Sequence, residues 1–233
     1  MTFLSFIIIL LTLGTLTHFK EGIKTYSIKK IAGEITISGK GDNPLWNNAH
    51  SLSDFTYPWE TEIPPSTKFK ALHNDDWLYC LFDVADDSIK IHVDKNNKSE
   101  VASSCRAEIF FKIDDQLSPY YCLEIDPLAR VLDYKAEFHR KFDTKWSWPA
   151  GHLVIKADRR KDGYTIELAI SKASLKELGL LRDKNLQAGL YRADCLELNE
   201  SCAKFKWASW VKPDSKTPDF HIPSSFGILR LED

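Results

Sequence analysis

The chain has 233 residues, 43% of them hydrophobic, with 31 Lys and Arg against 33 Asp and Glu for a net charge of −2. That length suits one all-β domain with a short N-terminal extension and enough apolar residues for a substantial core. The near-neutral charge leaves no basic field for nucleic acid, and the only methionine is the initiator, which excludes haem held by a Met/His pair.

In chain order, residues 1–16 read MTFLSFIIILLTLGTL. This apolar run has the length of a signal-peptide core and is shorter than the roughly 20 residues a spanning helix needs. Residues 1–22 are expected to form a signal peptide or, uncleaved, an N-terminal anchor. Either implies export to a periplasm, a cell surface or the medium. The polar residues 23–30 read as a linker, and one folded domain is expected over 31–233.

Within that domain, residues 31–38 read as a first short strand. Residues 44–49 (PLWNNA) suit a short helix, and 54–65 a long loop. Residues 67–72 and 77–84 form a hairpin across Asn74-Asp75-Asp76. A polar loop over 85–99 leads to the stretch 103–138, in which three runs alternate with period two: Arg106 to Ile113, Tyr120 to Asp126, and Leu132 to Phe138. Alternation of this kind marks strands with one buried face. The three runs predict an antiparallel meander with one apolar and one charged face, Glu108, Glu124 and Asp126 sharing the charged one. Beyond it come an aromatic and basic loop at 140–151, a hairpin of 153–157 with 163–170, and a helix from Ser171 to the stop at Gly179. Strands at 186–196, 204–210 and 226–231 complete the chain. The sum is an antiparallel β-sandwich of about ten strands with one or two short helices.

Chemistry is constrained mainly by what is missing. G-x-S-x-G, H-E-x-x-H and C-x-x-C motifs are absent. Five cysteines are present; Cys195 and Cys202 flank a short loop and could clamp it in an oxidising compartment. Glu108 and Glu124 could serve as the two carboxylates of a glycoside hydrolase, and a structural interaction domain without a small ligand is a further alternative. Sugar binding is better supported, since it needs aromatic faces beside charged groups that take hydroxyls. Trp146, Trp148, Trp207, Trp210 and Phe220 supply the faces. Arg106, Glu108, Glu124, Asp126 and Arg192 supply the polar groups. One of Trp207 and Trp210 is expected in the core, and Trp146 and Trp148 are expected to be exposed.

Several pieces recur in a familiar order: Asp75-Asp76-Trp77-Leu78-Tyr79, Ser104-Cys105-x-x-Glu108-Ile109-Phe110-Phe111, Tyr120-Tyr121-x-x-Glu124-Ile125, and Tyr164-Thr165-Ile166-Glu167-Leu168-Ala169-Ile170. Tyr191-Arg192, Trp207-Ala208-Ser209-Trp210 and His221-Ile222-Pro223-Ser224-Ser225-Phe226-Gly227 follow. Together they resemble the family 9 carbohydrate-binding modules, known as accessory domains of xylanases, and the wider group of family-9-like surface proteins. The resemblance implies a β-sandwich that binds a mono- or oligosaccharide, such as a xylan or cellulose fragment, between two aromatic walls without catalysing a reaction, alongside glycan-degrading enzymes. Phe220, beside His221, would be one wall, and Glu108 a polar contact. Glu124 and Asp126 fall where the family has polar contacts, there usually an Arg and an amide. The second wall should lie near Ala102, where this chain has no Trp; Trp148 is the candidate to replace it. No cofactor is required, although the family often holds structural Ca²⁺, for which Asp86, Asp87 and Asp94 are the candidates.

Overall fold

The structure is a computed structural model that describes residues 22–233, so nearly all of the expected leader lies outside the described residues. Its strands are β1 (Thr25–Lys30), β2 (Thr67–His73), β3 (Trp77–Ala85), β4 (Arg106–Lys112), β5 (Tyr120–Ile125) and β6 (Val131–Glu137). They continue as β7 (Lys141–Asp143), β8 (Leu153–Arg160), β9 (Gly163–Ser171), β10 (Asn185–Leu198), β11 (Cys202–Ser209) and β12 (Gly227–Leu231). One short α-helix, α1 (Lys172–Glu177), follows β9, and its Ser171 cap accepts from the Ser174 N–H. Three 3-10 turns complete the described residues.

One sheet runs β7-β6-β5-β4-β10-β12-β1, with β11 paired to the far half of β10; the other runs β1-β2-β3-β9-β8. Their inner faces meet in a core that joins Ala107, Ile109 and Phe111 of β4 to Phe82 of β3 and Ile166 and Leu168 of β9. The fold is the expected sandwich.

The first strand lies one segment earlier than the sequence suggests. Thr25–Lys30, expected as linker, pairs in parallel with both β12 and β2 and buries Tyr26 and Ile28. Residues 31–38, expected as a strand, cross the outside of the second sheet instead. There Ile31 and Ile35 join Trp46, Leu72 and Tyr79 in a satellite cluster. Glu167 of β9 anchors this crossing, because its carboxylate accepts from the N–H groups of Ser38 and Gly39 and from Trp46 Nε1.

The meander is present, but its charged face is not solvated. Every residue of β4 and β5 is buried, because a second apolar layer covers that face. The layer contains Phe110, Tyr120, Leu132, Tyr134 and Ala136, with Phe220 and Phe226 brought over by the loop at 213–226. Thus β6 points its apolar residues outward: Leu132 stands opposite Glu124, and Tyr134 opposite Cys122. Its inward Asp133 accepts from the Trp148 N–H and from Lys98 Nζ. Cys195 and Cys202 are disulfide-bonded across the β10–β11 hairpin.

Candidate functional site

Strand register brings the charged residues together. Glu108 on β4 faces Glu124 on β5 directly, and Tyr191 on β10 faces Glu108 from the other side. Arg106, two residues before Glu108, therefore shares its face, and its Nε lies 2.8 Å from Glu108 Oε1 and 2.7 Å from Glu124 Oε2. One N–H is thus shared between two carboxylates. Both carboxylates are ion-paired to it at poor hydrogen-bond angles. The guanidinium is held by Nη1, which donates to the Ala102 and Ser104 carbonyls, and it lies 5.3 Å over the Phe205 ring and 5.4 Å over the Trp207 ring. Tyr134 donates to the second oxygen of Glu124. Burial, reinforced by the facing Glu124 and opposed by Arg106, pushes the Glu108 carboxyl above the usual carboxylate range.

Above this floor is a cleft of about 170 Å³, lined also by Arg140, Trp207, Pro218, Asp219, Phe220 and His221. Phe220 is fixed from behind by Tyr191, stacked at 4.1 Å and 13°. Trp207 meets it at 5.9 Å and 81°, so the two rings form a corner rather than parallel walls. The loop carrying Phe220 is tied down by Trp59, which donates to the Ser215 carbonyl, by Tyr191, which donates to Ser225, and by Lys112, which donates to the Pro223 carbonyl. His221 stacks on Phe110 at 5.3 Å and hydrogen-bonds Tyr120. Burial, together with nearby Arg140, pulls its pKa down to about 3, so the ring is neutral at ordinary pH. Arg140 Nη2 donates to Asp219 Oδ1 across one rim. Four other surface depressions, of about 270 to 580 Å³, contain no Phe, Trp or Tyr in their walls.

Residues 37–233 match the family described as carbohydrate family 9 binding domain-like. The chain belongs to that family. As a member it is a non-catalytic carbohydrate-binding domain. Three solved structures share the fold. A candidate carbohydrate-binding protein of Bacteroides uniformis has a TM-score of 0.68 at 17% identity, covering 91% of this chain and all of its own. A family 9 carbohydrate-binding module of Caldicellulosiruptor kristjanssonii, solved with cellotriose, has a TM-score of 0.56 at 18% identity, covering 90% of this chain and 94% of its own. The same organism's module solved with glucose has a TM-score of 0.52 at 18% identity, covering 90% of this chain and 96% of its own. No curated protein matches the sequence.

At this cleft, the residues expected from the sequence divide. Arg106, Glu108, Glu124, Trp207, Phe220 and His221 line the cleft; Trp146, Trp148, Trp210, Arg192 and Asp126 do not. Trp148, expected as the exposed second wall, is 5% exposed in the inner core and donates through Nε1 to Ser174. Its loop folds back over Phe111 and Tyr121, whose rings offer more apolar contact than solvent does. Trp146, also expected to be exposed, is half-buried against Tyr121. Trp210 is core; Trp207, three residues earlier and so on the opposite face, lines the cleft. Arg192 faces Ala107 on the inner side and pairs with Asp86 and Asp194 at 3.3 and 3.4 Å. Asp126 lies past the end of β5. Its carboxylate is used by the Leu128 and Arg130 N–H groups and the Arg130 guanidinium.

The Ca²⁺ set is not assembled either. Asp86 is taken by Arg192, Asp87 is exposed, and Asp94 contributes its backbone N–H to Glu100. Among the described residues, the acidic and thiol groups that converge are Asp86, Cys105 and Asp194, and the Arg192 guanidinium already neutralises that pair of carboxylates. The hydrolase alternative falls on the same ground: Glu108 and Glu124 flank a guanidinium, where the two carboxyls of a glycosidase flank the scissile bond. Arg140 and Asp219 are cleft residues that the sequence does not single out, and of Trp207 and Trp210, both offered as aromatic faces, it is Trp207 that lines the cleft and Trp210 that is core. The odd spacing of Trp207 and Trp210 was the available signal.

Proposed function

We propose that the cleft binds one ring of a neutral glycan against the Phe220–Trp207 corner, with its hydroxyls toward the Arg106–Glu108–Glu124 floor. The observation that carries this reading is that a buried Arg106–Glu108–Glu124 cluster and the Trp207 and Phe220 rings line one cleft. Pyranose rings offer apolar C–H faces and a fringe of hydroxyls, which this pairing of aromatic ring and carboxylate suits. A volume of about 170 Å³ is below the roughly 300 Å³ at which sites for drug-sized ligands begin, which favours a single ring. The solved relatives carry cellotriose and glucose, which supports cellulose fragments as first candidates, with xylan fragments beside them. On this reading the domain brings glycan-degrading enzymes to their polymer outside the cytoplasm, and the Cys195–Cys202 disulfide supports an oxidising compartment.

Calorimetric titration of the purified chain with glucose, xylose and their oligomers is the test. Trp207→Ala, at a half-buried position, should weaken binding about tenfold while leaving the fold intact by circular dichroism. No heat from any sugar at millimolar concentration would end the reading. The mass of the mature exported chain would show whether the leader is removed.

A further inference from the structure

A cleft that holds one ring obliges the rest of a longer glycan to leave across the surface, and aromatic side chains beside the cleft mark the exits. We propose that the exit runs over Phe142, which forms a second subsite for the next pyranose of a neutral oligosaccharide. This rests on the reading of the cleft given above and extends it from one sugar ring to two.

Phe142 lies on edge strand β7, facing Ala136 of β6, and so on the same outer face as the cleft floor. It is 43% exposed. Its contacts with His221, at 5.0 Å and 60°, and with Tyr134, at 5.3 Å and 73°, hold the ring in place without a parallel stack over its face. His221 is also a wall of the cleft, so the ring and the cleft are separated by one side chain. Polar groups run along the same border. Arg140 and Asp219 line the cleft, Arg140 belongs to the turn that leads into β7, and His139 Nε2 lies 3.0 Å from the other Asp219 oxygen. A second sugar ring on Phe142 would have hydroxyl partners on its cleft side.

The exit over Phe205 is already occupied. That ring is half-buried, packs against Trp207 at 5.0 Å and lies beneath the Arg106 guanidinium. It serves to hold Arg106 rather than to receive a ligand.

Titrations of glucose against cellobiose, and xylose against xylobiose, should be run on the native chain and on Phe142→Ala and Phe205→Ala. For the sugar series that binds, the disaccharide should bind the native chain about fivefold or more tightly than the monosaccharide. Phe142→Ala should abolish that gain while leaving monosaccharide affinity within about twofold. Equal affinity for mono- and disaccharide in the native chain would overturn the subsite and leave the cleft reading standing. So would a gain that survives Phe142→Ala and disappears in Phe205→Ala. Silence of the native chain toward every sugar overturns the cleft reading, and the subsite with it.

Discussion

Two carboxylates facing each other across a strand pair, with one guanidinium between them, cannot both stay charged in a buried site without cost. Burial raises the Glu108 pKa, and the facing Glu124 adds to the rise. The sign of the pH effect follows. A carboxyl whose folded pKa lies above its ordinary value of 4.5 contributes stability that is fully present below that pH and is lost as pH rises through the raised value. Glu108→Gln keeps the shape and cannot ionise. Its melting temperature relative to the native chain should therefore climb steadily as pH is raised from about 4.5. Thermal scans at fixed pH values provide the check; a difference that stays constant over the range would show that Glu108 does not carry the shift. His221 works in the opposite sense. Held near 3 by burial, it contributes stability that is present above its ordinary value of 6.5 and is lost as pH falls.

At the scale of elements, β9 does more than pair with β3 and β8. Its outward Glu167 takes two backbone N–H groups, the Ser38 hydroxyl and the Trp46 indole, and so fixes the crossing segment over the second sheet. Glu167→Ala would leave those donors buried without partners and should cost about 3 kcal/mol. Glu167→Gln, keeping part of the set, should cost less. Urea unfolding measures both, and a loss under about 0.5 kcal/mol for the alanine variant would mean that the crossing is held by its apolar contacts alone. The crossing also shows where the sequence stops being legible. Strands whose apolar and β-branched runs are bounded by turn residues, such as β2, β3, β9 and β10, can be read directly from their residues, and so can the Ser171 cap and the Gly179 stop. Residues 31–38 have strand-like composition and yet lie flat on a sheet, held at Ile31 by the His73 carbonyl and at Ser38 by a side chain 129 positions away. The phase of β6 is equally hidden: Leu132, Tyr134 and Ala136 would suit either face, and only the loop at 213–226 creates an apolar outside for them. For the site, Arg106, Glu108 and Glu124 are legible because register is local. Trp148 and Trp207 are not, because whether an indole is covered depends on loops from elsewhere in the chain.

For the molecule as a whole, the decisive element is the shortest route between its two sheets. β1 is the shared strand, bonded in parallel to β12 on one side and to β2 on the other. Nothing in the composition of Thr25–Lys30 announces this, and the family match itself begins later, at residue 37. A chain trimmed to 37–233 would lose the buried Tyr26 and Ile28, each contributing about 1.5–3 kcal/mol. It would also open the edges of β12 and β2, whose unpaired N–H and C=O groups invite association. Tyr26 adds a specific loss, since its hydroxyl donates to the His50 carbonyl and accepts from the Ala71 N–H, so its removal leaves a β2 donor in the core without a partner. Set against a total stability of roughly 5–15 kcal/mol for a typical domain, this should leave 37–233 unfolded or aggregated, whereas 23–233 should fold. Circular dichroism and size-exclusion chromatography of the two chains make the comparison. A monomeric, cooperatively melting 37–233 would show that the two sheets hold together through their facing cores alone.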